Sequence, residues 1–149
     1  MLILRCLIFL VVIISSIANM PQAAIASSCD VSKAQAYEGP IPNAEDSVDF
    51  NREIKRWTIA AKMWQECVDS TSDKQKVERY QLKVEQSISM GLLMYKDGGS
   101  KEQIAKIKRS LLKDVVNSYR QISKSRDADG ETKSQALKSM RYLQSRFEE

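Results

Sequence analysis

The chain contains no histidine, and that absence removes a large class of chemistry. Without imidazole there is no Ser-His or Cys-His nucleophile pair, no histidine metal ligand, and no side chain whose unperturbed pKa lies near neutrality. Cysteine is scarce, and Cys6, Cys29 and Cys67 lack the paired CxxC spacing of a zinc or haem site. There is no glycine-rich phosphate loop. Only 5 Gly and 3 Pro occur in 149 residues, which argues against disorder and against a many-turned β architecture for most of the length. Repeats, low-complexity tracts and strand-like alternation are also missing. No cofactor or metal is expected, and the length suits one domain.

What is present begins with an apolar leader. Met1 to Arg5 carries one positive charge, Cys6 to Ile14 is almost wholly apolar, and Ser15 to Ala26 turns small and polar around Pro21. Ala24-Ile25-Ala26 has the small-x-small form that signal peptidase accepts, so residues 1–26 are expected to be a signal peptide cleaved after Ala26, with Ala18 as an earlier alternative. A membrane span needs about 20 apolar residues, and the run from Leu2 to Ile17 is shorter and broken by Arg5. A retained anchor and a lipoprotein acylated on Cys29 are the alternatives. The second lacks the large aliphatic residue normally found before such a cysteine. The protein is therefore expected to be periplasmic or secreted. Cleavage removes Cys6 and leaves Cys29 and Cys67, most simply read in an oxidising compartment as one disulfide, with two free buried thiols as the alternative.

Residues 27–46 are polar, and Pro40 and Pro42 restrict both themselves and their predecessors. This stretch is read as an extended arm, held by the disulfide and running back antiparallel along the first helix. There Ile59, Met63 and Cys67 form a flank to receive it, with Ile41 as the apolar contact. Helices are expected at about 47–69, 73–96, 101–126 and 131–147. Asp46 or Ser47 would cap the first, the Asp69 to Asp73 cluster the second, and a Ser100/Gln103 capping box the third. In the first helix Phe50, Ile54, Trp57, Ala61, Trp64 and Val68 share one stripe. Phe50 to Val68 is accordingly read as the wall around which the rest is organised, with both tryptophans in the core. The second helix offers Val77, Tyr80, Val84, Ile88, Gly91 and Tyr95. The third has the widest apolar face, from Ile104 to Ile122, and is expected to be the most enclosed. The fold class is all-α: about four antiparallel helices, as a bundle or two packed hairpins, with the arm stapled by one disulfide.

Charge gives the clearest functional hint. Residues 27–100 carry 10 basic and 12 acidic side chains, whereas residues 101–149 carry 12 basic and 7 acidic. Lys106, Arg109, Lys113, Arg120 and Lys124 fall within roughly 60° of arc opposite the apolar face of the third helix. Lys138 and Arg141 form a smaller version on the fourth. The ordinary reading is a solvated face. The sharper one is a surface for an anionic partner, whether protein, lipid headgroup or acidic polymer of a cell envelope. Nucleic acid fits poorly, because no aromatic stacking residues line that stripe. Glu53, Glu66 and Glu85 could in principle form a carboxylate pair, but all sit among basic residues and are read as solvated surface charge. Asp127-Ala128-Asp129-Gly130-Glu131 lacks the spacing of a calcium loop and is read as a turn and helix cap.

Cys29, the Pro40-Ile41-Pro42 arm, and a helix ending in Trp64 and Cys67 together resemble small exported helical proteins of unknown function from Gram-negative bacteria. The resemblance spans about Cys29 to Val68 and implies a periplasmic address and a disulfide-stapled hairpin; it implies no activity. The sequence thus leads to a non-enzymatic interaction or scaffold protein of the envelope with a basic helical face and no inferred small-molecule substrate. The alternative is a periplasmic chaperone-like binder using apolar helix surface.

Overall fold

A computed structural model describes residues 29–39, 48–98 and 101–148, with the side chains of residues 101 and 103–110 outside the description. The described residues form five helices and no strand: α1 (Val31–Glu38), α2 (Phe50–Asp69), α3 (Lys74–Gly98), α4 (Lys101–Lys124) and α5 (Gly130–Glu148). None of these helices is long and apolar enough to cross a membrane.

Local chemistry accounts for the helix starts. Asp30, Asp49, Asp73 and Asp129 each turn a carboxylate back onto backbone N–H groups of the first turn, at Lys33, Arg52, Gln75 and Thr132 respectively. Those N–H groups have no partner within the helix, so an aspartate there satisfies donors that water would otherwise hold. The cap of α2 is Asp49; Asp46, Ser47 and Ser100 lie outside the described residues.

α2 and α3 form an antiparallel hairpin. Phe50 packs where a Cβ on Gly98 would stand, Trp57 lies against Gly91, and the Trp64 ring stacks on Tyr80 with centroids 5.7 Å apart. α4 returns antiparallel to α3, with Ser89 bonded to Tyr119 and Glu78 to Ser125. α5 then runs parallel to α3: Arg79 meets Asp129, Gln86 meets Ser139, and Lys96 donates to the Arg146 carbonyl. The main core lies among α3, α4 and α5, where Leu82, Leu92, Tyr119, Ala136, Leu143 and Phe147 are buried. Both tryptophans of α2 are core residues, as expected.

The organising element is therefore α3. It packs against α2, α4 and α5, whereas α2 packs against α1 and α3. The stripe expected on α3 is mostly the half-buried one facing α2. A second buried arc through Leu82, Glu85, Ser89, Leu92 and Leu93 faces α4 and α5. Serines interspersed with leucines disguised that arc, since small polar residues pack as easily inside as out. α3 is thus enclosed by three helices, while in the described part of α4, residues 111–124, Val115, Val116, Tyr119 and Ile122 are buried and Leu111 remains 47% exposed.

The expected extended arm is also corrected. Residues 31–38 are helical, because both prolines come later and restrain residues from Gly39 onward. An isolated helix of 8 residues would be marginal, so tertiary contacts must hold it. Cys29 is joined to Cys67, Ala34 is fully buried, and the Arg56 guanidinium donates to the terminal carbonyls of Tyr37 (3.3 Å) and Glu38 (2.7 Å). Arg56 occupies the space where a Cβ on Gly39 would stand, and Gly39 has φ +45°, so both crowding and backbone favour glycine there. The antiparallel course along α2 is as expected: Cys29 meets Cys67 near one end, and Glu38 meets Arg56 toward the other. Ile41 lies outside the described residues.

Candidate functional site

The amphipathic pattern of α4 turns Val115, Val116, Tyr119 and Ile122 into the core. The same periodicity forces Lys113, Arg120 and Lys124 outward, and all three are exposed. Lys106 and Arg109 belong to the part of α4 whose side chains lie outside the description.

Lys113 and Arg120 stand along a groove of about 420 Å³ between α4 and α5. Buried or half-buried Leu112, Val116 and Phe147 form its apolar lining. At seven residues apart, the two cations are separated by about 10 Å along the helix axis. Arg120 donates to Asn117 Oδ1 at 2.8 Å, which orients its guanidinium. Glu148 is the acidic member of the lining. Lys124 is on the same helix but does not line the groove, nor do the exposed Lys138 and Arg141 of α5.

Four cations elsewhere on the molecule are paired, while others such as Lys33, Lys55, Lys138 and Arg141 stand in no ion pair among the described residues. Arg79 meets Asp129 at 2.7 Å, Lys83 meets Glu38 and Arg146 meets Asp97 at 3.4 Å, and Arg56 meets Glu53. Among the described residues, Lys113, Arg120 and Lys124 form no ion pair. A cation without a carboxylate keeps its field available to an incoming anion. An apolar floor beside it excludes water and strengthens that attraction.

The carboxylates read as solvated prove divided. Glu66 is exposed, but Glu53 and Glu85 are each only 6% exposed. Glu53 accepts from Arg56 Nε at 3.1 Å. Glu85 lies in a polar layer inside the α3–α4–α5 core. Burial raises its carboxyl above the ordinary value, against hydrogen bonds from Ser118 and from Gln81 at 2.9 Å. One turn along, the Tyr119 and Ser89 hydroxyls are 2.8 Å apart, Ser89 also donates to the Glu85 carbonyl, and burial pushes the Tyr119 phenol up. Sequence reasoning missed this layer. Its signal was the i, i+4 series Gln81, Glu85, Ser89 on an otherwise apolar helix. No cluster of three or more metal-ligating side chains occurs among the described residues.

Cys29 and Cys67 form the expected disulfide, with their Cα atoms 4.4 Å apart. Compared with protein-family models, curated proteins and solved structures, the chain matches none.

Proposed function

We propose that this is an exported, non-enzymatic interaction protein of the cell envelope, which receives an anionic partner in the α4–α5 groove. The observation that carries the reading is the placement of two cations without ion pairs, Lys113 and Arg120, along one groove with an apolar floor. The partner supplies carboxylate or phosphate to the two cations and an apolar segment to Leu112, Val116 and Phe147. The apolar leader supports export, and the lack of histidine supports a role without acid–base catalysis. The resemblance of the Cys29 to Val68 segment to small exported Gram-negative proteins supports a periplasmic address.

Exposure of Leu111 and the groove's apolar lining favour a second reading, a chaperone-like binder of unfolded segments. Salt separates the two. Crosslinking in the native envelope should capture a partner that is lost as ionic strength rises, because screening shortens from about 8 Å at physiological salt to about 3 Å at 1 M. Apolar capture would persist or strengthen. Capture unchanged by the double reversal Lys113→Glu, Arg120→Glu would reject the anionic reading.

A further inference from the structure

A second opening shares no residue with that groove. This cleft, of about 300 Å³, is lined mainly by α3 and α5, with Glu38 entering from α1, Trp57 from α2 and Tyr119 from α4. At its inner end are the buried hydroxyls of Ser89 and Tyr119, and at its outer edge is Tyr142, which is 55% exposed. Trp57, Met90 and Leu93 supply apolar wall. Gln86 donates to Ser139 at 3.1 Å, placing an amide and another hydroxyl on the lining.

The charges of this cleft cancel. Its charged lining residues are Lys83 and Glu38, and they pair with each other at 3.4 Å. An ionised ligand would lose hydration without gaining an unpaired counter-charge, so the lining favours a neutral one. The indole N–H of Trp57 is buried with no acceptor among the described residues. Aromatic walls with a few convergent polar groups are the usual composition of a small-molecule site, and the volume is at the small end for one.

We propose that this cleft binds a small uncharged molecule with a flat aromatic body and an amide or hydroxyl edge. The ring packs between Trp57 and Tyr142, and the polar edge exchanges hydrogen bonds with Gln86, Ser139 and the Ser89–Tyr119 pair. This site is independent of the basic groove, and charge reversal at Lys113 and Arg120 leaves it intact.

Benzamide is the probe, titrated into the isotope-labelled, disulfide-bonded protein while the two indole N–H resonances are followed. The Trp57 resonance should move saturably, with a dissociation constant on the order of 1 mM for so small a ligand. Trp64 lies outside the lining and touches it only through Glu38 and Lys83, so its resonance should move less than that of Trp57. Benzoate, the charged isostere, should bind about tenfold more weakly. Ser139→Leu fills the cleft and should weaken benzamide about tenfold; should that variant fail to fold, exposed Tyr142→Ala is read instead and should weaken it several-fold. Lack of saturation, equal and linear movement of both indoles, benzoate binding as tightly as benzamide, or binding untouched in the folded variant would each overturn the proposal.

Discussion

Glu38 Oε1 accepts the indole N–H of Trp64 at 2.8 Å, across a sequence separation of 26 residues. The other carboxylate oxygen lies 3.4 Å from Lys83 Nζ, so α1, α2 and α3 meet at one side chain. Glu38→Ala leaves a buried indole N–H without an acceptor and should cost about 1–3 kcal/mol. Glu38→Gln keeps an acceptor for Trp64 and should cost less. Denaturant unfolding followed by tryptophan fluorescence gives both numbers. An equal loss in the two variants would assign the effect to the Lys83 ion pair instead.

The Cys29–Cys67 bond closes a loop with sequence separation 38. In the chain-entropy picture such a loop is worth about 4 kcal/mol. Reduction, or Cys29→Ser with Cys67→Ser, should lower the free energy of unfolding by that order. It should also make α1 the first site of proteolysis, because a helix of 8 residues has little stability of its own. Intact mass with alkylation before and after reduction checks the bond directly: two thiols reactive without reduction would remove it.

Glu85 predicts a pH dependence whose sign is opposite to that of most carboxylates. Burial raises its folded-state pKa above the unfolded value of about 4.3. Below that pH both states are protonated and no penalty exists. As pH rises past it the unfolded chain ionises first, so stability falls until the folded carboxyl ionises too, and the deficit then persists. Glu85→Gln keeps the bonds to Gln81 and Ser118 without the charge. The variant should melt higher than wild type at pH 7 and equally at pH 3. A lower melting temperature at pH 7 would mean that the ionised form is the one the core prefers.

Asp129 behaves in the ordinary direction. The backbone N–H of Thr132, then Arg79, hold its carboxyl down at about 2. A depressed pKa adds stability that is complete above the unfolded value of about 3.9 and is lost as pH falls toward 2. Asp129→Ala should therefore destabilise at pH 5 and above and have progressively less effect between about pH 4 and 2. Thermal melts across that range test it; a gap independent of pH would point to backbone preference at the cap.

Much of this protein was legible in the chain because the information was local. The Asp69 to Asp73 cluster and Asp129 punctuate helices through bonds reaching two or three residues, and the Trp57/Trp64 stripe follows from periodicity alone. The outward placement of Lys113, Arg120 and Lys124 has the same origin. The Cys29–Cys67 pairing needed only a count of the cysteines outside the expected leader. The prolines are less telling than they look: Pro40 and Pro42 restrict only themselves and their predecessors, and residues 31–38 before them are free to form a helix. Glu53 and Glu85 were misplaced because a glutamate among basic neighbours looks solvated until the opposing helix is known.

The chain by itself determined helices, caps and the faces on which charge and apolar groups stand, since these depend on interactions within four residues. Only the tertiary structure decided that α3 and not α2 is the shared element, that α1 folds against Trp64, and that Ser89, Tyr119 and Ser139 converge beside Trp57. Those outcomes depend on contacts between residues distant in sequence, such as Glu38 with Lys83 and Gln86 with Ser139. A helical pattern specifies which face is buried, but which neighbour buries it is settled by the packing of whole helices.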